Sequence, residues 1–187
     1  TFSEDCPALA QETHTSLETA ARNWRRECYV KAARAFSAAA VATAHHMNDN
    51  AETVLFNLSR GGAVSGAAGI TDTEFRGVKI IRPLIGCARF DIDAYVSEHN
   101  IPYVEDETNF IADCTRNRIR LNVLPELEKA VPSAAEGLYR FSRLAAEDEK
   151  YFTDLIKKNA LVVEKPYGAE IKLCPQAVVF RRAAAYA

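Results

Sequence analysis

The 187-residue chain has no apolar run of membrane-spanning length, so no transmembrane helix is expected. It has no basic-then-apolar leader and no initiator methionine. It opens Thr-Phe-Ser-Glu-Asp-Cys-Pro, and the expectation is a chain that begins mid-protein. It has little net charge: 23 Lys and Arg against 25 Asp and Glu give −2, so no global basic field announces a nucleic-acid partner. Nucleic-acid binding would have to rest on local basic patches. Five cysteines stand at 6, 28, 87, 114 and 174, and none is spaced as a zinc or redox pair. Reduced thiols in a cytoplasmic protein are the simple expectation. Nowhere does a Ser-Gly-Gly-x-Asp-Ser phosphate loop occur.

What is present is 48% apolar content, ample for a core, in a length that suits one domain or a domain and a half. Residues 15–37 read as an amphipathic helix, with Thr15 and Glu18 as a capping box. Its basic run (Arg22, Arg25, Arg26, Lys31, Arg34) is either a solvated face or a binding patch. A short apolar run at 39–44 suits a buried parallel strand. A helix should follow at about 49–60, capped by Asn48 or Asp49 and ended by Gly61. Residues 61–72 read as loop, 78–81 as a strand, and 90–99 as a helix with Ile92, Tyr95 and Val96 on one face. A helix at 115–124 carries three arginines. Pro132 opens a long helix to about 158, whose inner stripe is Leu138, Phe141, Leu144, Ala145, Tyr151, Phe152, Leu155 and Ile156. A β element is expected at 170–173, and a helix from Pro175. Alternation of strand and helix up to about 125 argues an α/β layer fold. The expectation is a partial doubly wound parallel sheet over 1–128, then a mainly helical region over 129–187.

Two segments carry candidate chemistry. Thr43 to Leu55 places His45, His46, Asp49 and Glu52 between an apolar run and a helix. In open parallel sheets ligands bind outside the carboxyl ends of the strands. Asp49 and Glu52, three apart, share a helical face that suits a cation, either magnesium or an ammonium group. The plainer alternative is an N-cap and a first-turn acid favoured by the helix dipole. Each histidine suits phosphate orientation or proton transfer, and equally a hydrogen-bonded core position. The second segment, Arg116-Asn117-Arg118-Ile119-Arg120, aligns Arg116 with Arg120 and turns Arg118 away. Arginine forks suit phosphates and unpaired bases. Surface ion pairing with Glu105, Asp106, Glu107 or Asp113 is the alternative.

Together these segments resemble the tRNA(Ile)-lysidine synthetase family of ATP pyrophosphatases. His45, His46, Asp49, Glu52, Thr53, Arg60 and Gly61 match its His-His-x-x-Asp-x-x-Glu-Thr pattern and the Arg-Gly after it. Asn48 stands where many members carry a second aspartate. Ile81-Arg82-Pro83-Leu84, Arg89, Ile101-Pro102-Tyr103, Glu105-Asp106, Thr108-Asn109, Arg116 to Arg120 and Leu124-Pro125 follow in family order. The resemblance covers roughly 15–128.

It implies an adenine nucleotide alpha hydrolase-like fold and an ATP-dependent carbon–nitrogen ligase. Such an enzyme joins L-lysine to C2 of the wobble cytidine of a tRNA(Ile) with a CAU anticodon. It implies ATP and magnesium as cofactors, with Asp49 as a magnesium ligand one reading, and a homodimer is compatible with it. It casts Asp49, His45 and Arg116 as catalytic. His46, Glu52, Asp106, Asn109, Asn117, Arg118 and Arg120 become substrate-binding, and the region after 128 tRNA-contacting. Two rivals remain: tRNA 2-thiolation, which wants sulfur-handling cysteines, and a non-catalytic RNA-binding fragment. The only glycine-rich candidate, Ser59 to Ala63, follows a helix rather than a strand. The 187 residues alone are therefore expected to be inactive.

Overall fold

The computed structural model describes residues 1–104, 115–158, 162–165 and 168–171. Asp106, Asn109, Cys114, Cys174 and the helix expected from Pro175 lie outside them. The chain divides into two compact units, 1–45 with 71–85, and 46–70 with 86–187.

In the first unit, α1 (Cys6–Glu12) and α2 (Leu17–Ala35) precede β1 (Ala40–Ala42). α1 was not legible from periodicity; Asp5 caps it through the Ala8 N–H, and Pro7 fits its first turn. α2 is capped by Ser16, not Thr15, because the Ser16 hydroxyl accepts the Thr19 N–H. β1 runs parallel to β3 (Val78–Ile81), with Val41 opposite Ile80. Thr43 N–H extends that ladder to the Ile81 carbonyl. Ile80 is buried, but β1 is only half-buried, since among the described residues it pairs on one side alone. β2 (Thr73–Phe75), unforeseen from sequence, pairs antiparallel with β3. Arg76 and Gly77 both take positive φ, 49° and 78°, as a two-residue hairpin of this twist requires. An arginine in that role hid the turn.

The second unit is helical. α3 (Met47–Ser59) is followed by the single turn α4 (Val64–Ala67), inside the expected loop. α5 (Arg89–Glu98) has no buried residue, and Tyr95 is exposed rather than inward. The arginine segment begins as α6 (Thr115–Arg118) and widens into a π turn (Ile119–Val123). It continues as α7 (Leu124–Ala130), so the helix runs beyond the expected 124. Pro125 lacks the N–H that an α turn would require, and the wide turn lies just before it. α8 (Ala134–Lys158) packs on α3 and α4. Its buried stripe is Ala135, Ser142, Ala145 and Ile156; Phe141, Leu144 and Tyr151 are exposed, against expectation. Small residues at this seam let the helices approach: Ala51, Leu124 and Ala135 form the core, flanked by Leu55 and Leu138. β4 (Val162–Lys165) and β5 (Gly168–Ile171) form an antiparallel ribbon where one short element was expected. No described helix is long and apolar enough to cross a membrane.

Candidate active site: an acid–arginine cluster on one helix

His46, rather than Asn48 or Asp49, caps α3. Its Nδ1 accepts the Asp49 N–H at 3.4 Å, and the Asp49 carboxylate accepts the His46 N–H at 3.1 Å. This is a capping box with imidazole in the place usually held by a hydroxyl. Accepting at Nδ1 requires an unprotonated nitrogen. Burial pushes the His46 imidazole below its ordinary 6.5 and outweighs the pull of Asp49, so the neutral form is favoured.

Asn48 has a separate task. Ala88, the N-cap residue of α5, has no capping group, and the Asn48 Oδ1 accepts the Arg89 N–H at 3.0 Å in its stead. The Met47 N–H bonds the Cys87 carbonyl beside it. Asn48 is thus a cap between helices.

One turn into α3, Glu52 is 1% exposed. A lone carboxylate there would be expensive, and two guanidiniums compensate it. Arg120 grips it side-on, Nε to Oε1 at 2.7 Å and Nη2 to Oε2 at 3.1 Å, while Arg116 Nε reaches Oε2 at 3.2 Å. Arg120 Nη2 also donates to Asp49 Oδ1 at 3.0 Å, and Arg116 Nη2 lies 3.9 Å from the same oxygen. These forks hold the Arg120 charge above its ordinary range, the hydrogen bond to Glu52 contributing most. Arg116 and Arg120 share a face because they are four apart on a helix; Arg118 is exposed.

Glu52, expected to touch substrate, is therefore the buried counter-ion of two arginines. Asp49 keeps a little more surface, its side chain 12% exposed against 2% for Glu52. Arg116 is 39% exposed and is the cluster's most open cation. At Asp49 one carboxylate oxygen accepts from Arg120 and the other from a backbone N–H, which leaves a lone pair on each for a magnesium ion or an ammonium group. No group of three metal-ligating side chains occurs among the described residues.

His45 belongs to the first unit, beyond the carboxyl end of β1, and its Nδ1 pairs with the Thr43 hydroxyl at 2.9 Å. Asn117 is half-buried on α6. Gly62 serves α3 rather than a ligand. Its N–H closes on the Asn57 carbonyl at 2.8 Å, and a Cβ there would lie 2.6 Å from that oxygen.

Sequence reasoning missed a polar hub behind the site. Asn50, 1% exposed, donates to Ser142 on α8 at 2.8 Å and accepts the Ile70 N–H at 2.7 Å. Gly69, at φ +64°, leaves it room, since a Cβ would fall 2.3 Å from the Asn50 Oδ1. Its only sequence signal is an asparagine on the inner face of an otherwise apolar stripe.

Comparison with known proteins finds relatives over most of the chain. The chain is similar to the tRNA(Ile)-lysidine synthase of Thermosipho africanus, 39% identical over 150 residues, 80% of this chain and 34% of the relative. That of Parabacteroides distasonis is 42% identical over 136 residues, 73% and 30% of the two chains. That of Thermosynechococcus vestitus is 32% identical over 160 residues, 84% and 46%. The chain thus spans between 30% and 46% of the length of these curated relatives. The sequence profile of the PP-loop domain matches residues 2–127, a span that takes in the α3 acids and both cluster arginines, and the chain belongs to that family.

Proposed function

We propose that the protein forms lysidine, joining L-lysine to C2 of the wobble cytidine in a tRNA(Ile) with a CAU anticodon. The cytidine O2 attacks the α-phosphorus of ATP and releases pyrophosphate. The lysine ε-amine, having lost a proton, then adds at C2, and AMP leaves with the oxygen. The observation that carries this reading is the paired acid–arginine cluster, which lies within the PP-loop match of a chain similar to proteins named tRNA(Ile)-lysidine synthase. Asp49 has the chemistry to hold the ε-ammonium and accept its proton. Arg116, the more exposed arginine, suits the charge of the adenylate. Glu52 acts through the two arginines it orients. His45, Asn117 and Arg118 are proposed to meet the RNA or nucleotide, with Asp106 and Asn109, and the chain after 128 to contact tRNA.

The test supplies the purified full-length protein, not these 187 residues alone, with ATP, labelled lysine and a tRNA(Ile) transcript. Lysine should enter the RNA with release of AMP and pyrophosphate, and a uridine at the wobble position should block it. Sulfur transfer to the RNA in place of lysine would overturn the reading in favour of thiolation.

A further inference from the structure

A groove of about 630 Å³ opens along α5 and the segment after it, beyond the acid–arginine cluster. One hydrogen bond within the same unit places it beside the cluster: Asn48, one residue from Asp49, accepts the Arg89 N–H at 3.0 Å and so caps α5.

The lining has a definite character. Arg89 Nε donates a bifurcated hydrogen bond to both Asp93 carboxylate oxygens, at 2.7 and 2.9 Å. That pairing leaves no net charge at this wall, so a phosphate gains little there. What remains is a set of donors and acceptors: the outer guanidinium nitrogens, the Asp93 lone pairs, Ser97, and Asn100 at the left-handed end of the helix. Opposite chemistry comes from Tyr103, 67% exposed, with Ile101 and Val96 beside it. On the same helix Tyr95 stacks on His99 at 4.1 Å between ring centroids. A flat face, an apolar wall and an uncharged hydrogen-bonding edge together suit a planar heterocycle, and unpaired bases of RNA are recognised in this way.

We propose that this groove receives an unpaired base next to the reacting cytidine, with Tyr103 as the stacking face and Asn100 and the Arg89–Asp93 pair at the base edge. The proposal rests on the lysidine reading for its RNA and adds the subsite that holds the neighbouring nucleotide.

The test uses anticodon stem–loops carrying 2-aminopurine on one side or the other of the reacting cytidine, mixed with the purified full-length protein without ATP or lysine. Stacking should quench the fluorescence at one of the two positions. Tyr103→Ala should abolish that quench and raise the KM for the stem–loop about tenfold, while Tyr103→Trp retains the quench. Because Tyr103 is largely exposed, neither change should threaten folding. Equal quenching in Tyr103→Ala, or none at either position in the unaltered protein, would overturn the subsite. A raised KM for lysine or ATP with unchanged stem–loop binding would overturn it too, by assigning the groove to a small substrate. The two readings fail separately. Quenching without lysidine formation sinks the reaction and keeps the groove. Lysidine formation indifferent to Tyr103 sinks the groove and keeps the reaction.

Discussion

At the scale of single residues, the cluster is a charge balance in which each member makes the others tolerable. Glu52→Gln removes one negative charge and leaves two arginines facing each other. Breaking a fully buried pair costs about 3–5 kcal/mol, and because both arginines keep about a third of their surface, about 2–3 kcal/mol is expected here. Urea denaturation of the variant checks this. Asp49→Asn keeps the side-chain shape and much of the hydrogen bonding. Lysidine formation should nonetheless fall at least about a hundredfold in a variant that stays folded, and near-normal turnover would remove Asp49 from the chemistry.

His46 makes a pH prediction. Its folded state favours neutral imidazole, so the unfolded chain binds the proton first as pH falls. The contribution of His46 to stability is therefore complete above the ordinary 6.5 and declines below it, as protonation of Nδ1 removes the acceptor for the Asp49 N–H. Melting temperatures from pH 8 to 5 should drop on the acid side. His46→Asn, a capping residue that does not titrate, should flatten that slope.

At the scale of elements, the site is aimed by contacts between helices that no local pattern announces. α3 is held against α8 by Asn50 and Ser142, and the chain after α4 closes on the same asparagine. Gly69→Ala meets two obstacles at once, a left-handed φ and a Cβ 2.3 Å from the Asn50 Oδ1. A loss of about 2–4 kcal/mol follows, from backbone strain together with disruption of a buried polar group, measurable by chemical denaturation. α5 depends on α3 in turn: Asn48→Ala should cost about 1 kcal/mol through the lost cap. Asn48→Asp should be tolerated, since a carboxylate accepts the same N–H and favours the helix N-terminus.

At the scale of the molecule, each unit has its own means of cohesion. The first is a small three-stranded sheet backed by α2, with Phe75 between the guanidiniums of Arg26 and Arg76. The second depends on a helical core at Ala51, Leu124 and Ala135. Leu124 follows directly on the π turn that carries Arg120, with Arg116 on the helical turn before it. Leu124→Ala should therefore destabilise the second unit by about 2–4 kcal/mol and weaken activity in proportion to unfolding. Thermal melting followed alongside lysine incorporation would separate that effect from a change at the site.

The sequence by itself determined the α/β character and the family. It also determined the positions of β3, α3 and α8 to within a few residues, and the shared face of Arg116 and Arg120. These follow from short-range physics, in apolar periodicity, turn residues and the four-residue repeat of a helix. Only the tertiary structure decided the partners. Asp49 and Glu52 looked free to bind a cation, because the arginines that neutralise them stand more than sixty positions away in sequence. Asn48 looked like a substituted acid until a helix end forty-one residues on was brought to it. The exposure of Phe141, Leu144 and Tyr151 on α8 was equally hidden. An amphipathic stripe records which residues can be buried, and the neighbouring helices decide which of them are.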